Sequence, residues 1–147
     1  MKEYGKKKKS LQKFCKLAKK FRAKEARVIS TKNVFTALWV RQKCQFGCNE
    51  YGKTLTCPPF SPCPENTRKI LDSYNKAILV HSTDEWGDVK EIIVKLEREI
   101  FISGYYKAWA LGAGPCNFCN KCNLKHCIHP KKARPSKEIK YDDNQKQ

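Results

Sequence analysis

Apolar residues recur at helical spacing in three places along this 147-residue chain. The clearest stripe is Val89, Ile92, Ile93, Leu96 and Ile100, which predicts a helix opened by the capping box Ser82-Thr-Asp-Glu85 and stopped at Gly104. A second helix is expected from a Ser10 cap to about Lys24, with Leu11, Phe14, Cys15, Ala18 and Phe21 on one face and Lys13, Lys16, Lys19, Lys20 and Arg22 on the other. A third spans about residues 64–75, with Pro64 in its first turn and Ile70, Leu71 and Tyr74 as its apolar side. A short helix is expected after Pro135, capped by Ser136.

Runs of β-branched and aromatic residues predict strands between these helices. Residues 26–30, 34–42, 77–81 and 106–111 carry that composition. Strands alternating with helices argue for parallel pairing through crossovers. The expected fold is a small α/β domain with about three mainly parallel strands and crossover helices. In that arrangement the strands 34–42, 77–81 and 106–111 share a carboxyl edge, where open α/β sheets form their sites. Two cysteine-rich loops and His81 would leave from that one edge, so the loops are expected to meet in space. The boundaries follow: a disordered basic arm at 1–9, one domain at 10–137, and a polar tail at 138–147.

Composition supports a globular domain, with 40% hydrophobic residues. No apolar run approaches the ~20 residues needed to span a bilayer, so no membrane role is expected. Lysines follow the start without an apolar stretch, which is not a secretory signal, and a cytoplasmic protein is expected. The formal charge is +17, and its distribution is uneven. Residues 1–24 carry eleven positive side chains and one negative. Such an arm suits RNA or DNA, but a solvated tail is the plainer reading, since the middle of the chain has no matching basic stripe. The same charge would steer an acidic redox partner onto the surface.

The nine cysteines bring in the chemistry. Their odd number and short spacings, without an export signal, favour metal binding over disulfides. Eight fall in two groups: Cys44, Cys48, Cys57 and Cys63, then Cys116, Cys119, Cys122 and Cys127. Cys15 stands apart as a small buried hydrophobe of the first helix. The run Cys116-x2-Cys119-x2-Cys122 aims three sulfurs at one centre, as in bacterial-type ferredoxins. Zinc sites more often use two separated Cys-x2-Cys pairs, so zinc is the alternative. Four thiolates suit a [4Fe–4S] cube, and one or two such clusters are expected. Asn117, Asn120 and Asn123 tolerate the tight turns between the cysteines, and Gly112 and Gly114 would let backbone N–H groups approach sulfur.

The first group is less regular. It could form a four-cysteine site, or three ligands with an open iron and Cys63 packing near Pro64. Ligands could also be exchanged between the groups. His126 and His129 flank Cys127 as replacement ligands or hydrogen-bond donors, against the plainer reading of surface histidines. His81 is the best proton-donor candidate by position, although a structural role is the commoner one for a histidine ending a strand. No Ser-His-Asp pattern and no convincing carboxylate pair is present.

These residues also resemble the uncharacterised "predicted metal-binding protein" family, domain of unknown function 2284. The matching stretches are Lys43-Cys44-x3-Cys48-Asn-Glu-Tyr51-Gly52-Lys53, Cys57-Pro58-Pro59 with Ser61-Pro62, and Tyr74 before its strand. They continue with Gly112-Ala-Gly-Pro-Cys116-x2-Cys119-x2-Cys122 and Cys127-x2-Pro130-x2-Ala133-Arg-Pro135-Ser136. The resemblance implies a cysteine-bound metal centre and no established reaction. The leading expectation is a cytoplasmic iron–sulfur protein in electron transfer, as a carrier or as a module of a redox enzyme. The alternatives are a zinc-stabilised nucleic-acid binder and an enzyme whose three-cysteine cluster is open to substrate.

Overall fold

A computed structural model describes residues 10–83, 85 and 87–129. The arm 1–9, the tail 138–147 and the helix expected after Pro135 lie outside the described residues. The chain runs through α1 (Gln12–Lys20), β1 (Glu25–Ser30), a 3-10 turn (Thr31–Asn33), α2 (Leu38–Gly47), α3 (Pro64–Asp72), β2 (Lys76–His81) and α4 (Val89–Ile102).

The apolar stripes of α1 and α4 build the core. Phe14, Ala18, Ala23, Ile92 and Leu96 are buried together, and Ala26, Ile78 and Val80 press on them from the strands. Both helices therefore lie on the same face of the sheet. Ser10 caps α1 through its hydroxyl, which accepts from the Gln12 N–H. The helix ends before Lys24, because Arg22 takes a positive φ of 74° and turns Ala23 inward, where it is 1% exposed. At α4 the expected capping box is replaced. Asp88 caps the helix by accepting from Lys90 N, while Ser82 donates instead to the Gly87 carbonyl. Gly104, at φ 97°, ends α4 as expected.

The sheet corrects the expected fold. It has two strands, β1 and β2, and they are antiparallel, from Glu25 opposite His81 to Ser30 opposite Lys76. Residues 31–75 leave and return at the same end of the sheet. Thr31 closes that end by donating its buried hydroxyl to the Tyr74 carbonyl at 2.6 Å. A crossover would instead have had to carry the chain to the other end of the sheet. Among the described residues there is no set of three mainly parallel strands and no shared carboxyl edge.

Two expected strands are absent for identifiable reasons. In 34–42, residues 34–37 are extended and the remainder opens helix α2. Among the described residues no neighbouring strand lies there to receive its backbone groups, and a helix satisfies them internally. Residues 106–111 form no ladder, and the Ala110 N–H donates to the Glu97 carboxylate at 2.6 Å.

Cys15 is 5% exposed, as its place on the apolar face of α1 predicts. Burial pushes its thiol above the ordinary value, against a smaller opposing pull from Lys19. The sign is that of a raised folded-state pKa. Stability is intact below the ordinary thiol range of about 8.5 and falls as pH rises through the higher folded value. Urea unfolding of the metal-free protein across that alkaline window should show a smaller loss for Cys15→Ala than for wild type. Equal losses would contradict the buried-thiol account.

Candidate metal centre

The first cysteine loop grows out of the end of α2. Cys44 lies in the last turn of the helix, and the Cys48 N–H donates to the Cys44 carbonyl at 3.2 Å. Tight turns follow. The Tyr51 N–H donates to the Cys48 carbonyl, the Gly52 N–H reaches the Pro58 carbonyl at 2.8 Å, and the Cys57 N–H bonds to Thr54. Cys57 is buried, at 9% exposure. Arg41 of α2 donates to the Ser61 carbonyl at 2.7 Å and so ties the helix to the loop it launches. Arg68 of α3 steadies the entry to α2 by donating to the Val34 and Thr31 carbonyls.

Cys63 sits at the N-cap of α3, immediately before Pro64. The Glu65 carboxyl is held below the usual carboxylate range. Its own backbone N–H is the larger cause, and a hydrogen bond with the Cys63 thiol is the next.

The second loop is laid down along α4. The strip from 108 to 117 runs back from the end of α4 to its beginning, fastened at successive points. Tyr74 donates its hydroxyl to the Lys107 carbonyl at 2.8 Å, and Ala110 bonds to Glu97. Lys90 donates to the Pro115 carbonyl at 3.2 Å, and the Asn117 amide lies 3.5 Å from Asp88. Gly112 was expected to face a cluster. It passes instead against α4, where a Cβ would come within 3.2 Å of Ile93. Asn123 makes the tight turn expected of it, its side chain accepting from the Lys125 N–H at 2.9 Å.

The two loops touch. The Cys116 N–H donates to Thr56 Oγ1 at 3.0 Å, bridging 60 positions of sequence and landing beside Cys57. The shared-edge argument for bringing them together fails with the parallel sheet. The contact arises because the strip along α4 delivers Cys116 to the tip of the first loop. His81 is exposed at the end of β2 opposite Glu25, and among the described residues no hydrogen bond links it to either loop. His126 and His129 are exposed beside Cys127, which is exposed too. A groove of about 340 Å³ lined by Lys13, Lys16, Lys20 and Glu99 lies at the other end of α4 and does not belong to the loops.

None of the nine cysteines is in a disulfide. In kind, the eight cysteines of the two groups fit an iron–sulfur or zinc centre: thiols at ligand spacing on two loops that meet. Among the described residues no three Cys, His, Asp or Glu side chains are gathered as a metal-holding group. The loops are therefore placed next to one another while their sulfurs are not converged.

Sequence reasoning missed the residues that seat the second loop: Thr56, Asp88, Lys90 and Glu97. Glu97 carried a signal. It falls four residues after Ile93 and three before Ile100, on the apolar stripe itself, and is 5% exposed. A carboxylate so placed needs a donor, and the strip supplies one. Glu97→Ala should cost about 1–3 kcal/mol by stranding the Ala110 N–H, and should speed hydrogen exchange there. Glu97→Gln, which keeps an acceptor, should recover most of the loss. No change in exchange at Ala110 with either variant would refute the anchoring role.

A family model described as "predicted metal-binding protein" (domain of unknown function 2284) matches residues 27–139. No curated protein and no solved structure matches the chain. No helix among the described residues is long and apolar enough to cross a membrane.

Proposed function

From the premise that the chain belongs to the predicted metal-binding protein family, we propose that its metal is iron–sulfur and that it transfers electrons, as a carrier or as a module of a redox enzyme. The supporting observation is the Cys116–Thr56 hydrogen bond, which sets the Cys-x2-Cys-x2-Cys loop against the loop carrying Cys57. Two touching loops that each carry cysteines at ligand spacing would suit a pair of [4Fe–4S] clusters exchanging single electrons once their sulfurs gather on the metal. Cys116, Cys119, Cys122 and Cys127 would hold one cluster, and Cys44, Cys48, Cys57 and Cys63 the other. When bound, such clusters supply one-electron redox chemistry. The chain's own part is to hold the thiols, to seat the second loop on α4 through Lys90 and Glu97, and to limit solvent at Cys57. Nine cysteines outside any disulfide suit the reducing cytoplasm.

One placement favours a second reading. Cys63 stands at the N-cap of α3, before Pro64, while Cys44, Cys48 and Cys57 belong to the end of α2 and its loop, and those three would form a set with one iron position open to substrate.

Purification without oxygen, with a visible spectrum and a count of iron, zinc and sulfide, tests the proposal. A brown protein with iron and sulfide in equal amounts is expected. A colourless protein with zinc and no sulfide would end the iron–sulfur reading and leave a zinc-stabilised fold. Cys63→Ser then separates the two iron readings: unchanged iron points to the three-cysteine site.

A further inference from the structure

Helix α2 has no buried residue, yet it carries some of the largest apolar side chains of the protein. Phe35, just before it, is 91% exposed, Leu38 and Trp39 are each 61% exposed, and Phe46 is 79% exposed. Single exposed apolar residues are ordinary, but a contiguous group of aromatic and aliphatic side chains marks a docking surface. Trp39 and Phe46 are seven residues apart and share one face, with Lys43 between them and its ammonium 5.0 Å from the Trp39 ring centroid. Cys44 and Arg41 lie towards the opposite side, and Arg41 holds the cysteine loop there. The aromatic face is thus one helix diameter, about 10 Å, from a candidate cluster ligand.

Charge selects the occupant. Residues 26–49 contain Arg27, Lys32, Arg41 and Lys43 and no carboxylate at all. A second copy docked symmetrically would set these cations against one another. A single-stranded nucleic acid needs a row of free cations along its backbone beside open ring faces. Here Arg41 is committed to Ser61, so α2 itself offers Lys43 and no row of cations. We infer that the α2 face docks an acidic electron-transfer protein, whose apolar patch covers Phe35, Trp39 and Phe46 and whose carboxylate rim meets Lys32 and Lys43. The inference rests on the redox reading for the kind of partner and on α2 alone for the surface.

The test uses the full chain purified without oxygen, with a small acidic plant-type ferredoxin as the probe. Binding is followed by calorimetry at low and high salt, and iron is counted in each preparation. Wild type should bind at low salt and lose about tenfold or more in affinity at high salt, as exposed charges are screened. Trp39→Ser with Phe46→Ser, and separately Lys43→Glu, should each weaken binding about tenfold with iron content and melting temperature unchanged, since these side chains are solvent-exposed. Lys16→Glu with Lys20→Glu, on α1, should cost less than about twofold.

Failure of wild type to bind at low salt overturns the inference, as does loss through the α1 pair alone. So does a concentration-dependent dimer, or oligonucleotide binding, that disappears with Phe46→Ser. Iron present without docking refutes the surface alone. Zinc in place of iron with α2-dependent docking refutes the redox reading and upholds the surface.

Discussion

Phe14→Ala is expected to remove about 3–5 kcal/mol of stability, a large part of what a domain of this size holds. Phe14 is 2% exposed and sits where α1, α4 and the sheet converge, against Ala18, Ile92 and Leu96. Its ring also meets Tyr105 edge-on, with centroids 5.7 Å apart and planes at 81°, a geometry worth about 0.5–1.5 kcal/mol beyond burial. Ala18 and Ala23 are too small to fill the space left behind, so the cavity would persist. Urea unfolding followed by circular dichroism measures the loss. The contrast is Phe46→Ala, at 79% exposure, which should change stability by no more than about 0.5 kcal/mol. Similar losses for the two variants would mean that the core is not where the structure puts it.

On the two-cluster reading proposed above, Cys122→Ser should remove about half of the protein's iron and sulfide. Cys122 is the third sulfur of the period-three run, and its only hydrogen bond among those described is a long one, 3.9 Å to the Asn123 carbonyl, which leaves it available. Serine cannot replace the thiolate as a soft ligand. Cys15→Ser is the internal control, because Cys15 is buried in α1 away from both loops and its loss should leave iron unchanged. Full iron in Cys122→Ser would sink the assignment of this run as a cluster ligand set. Loss of all iron would indicate instead that the two loops, joined at Thr56, bind metal as one unit.

Local rules made several elements legible. The stripe of α4 runs from Val89 to Ile100 with Glu97 as its one polar position, and Gly104 can end a helix where other residues are strained. The amphipathic face of α1, the Pro64 start of α3 and the apolar runs of β1 and β2 were also readable. Each depends on near neighbours in the chain. Residues 34–42 and 106–111 show the limit. Both have strand composition, but a strand exists only where another offers its edge, and neither segment was given one. The direction of the sheet failed for a related reason. Alternating elements suggest a crossover, but the Thr31–Tyr74 closure returns the chain to the end it left.

The candidate site divides in the same way. Sequence alone picked out the candidate ligands, eight cysteines at ligand spacing, and placed Cys15 in the core, where the structure buries it. Those assignments follow from residue type, spacing and periodicity, which are properties of short stretches. Only the tertiary structure decided that the loops meet, that Thr56 receives Cys116, that Glu97 anchors the strip, and that the apolar side of α2 faces outward. These are pairings across 13 to 60 positions and exposures set by the whole fold, and nothing in the local chain encodes which distant donor finds which acceptor.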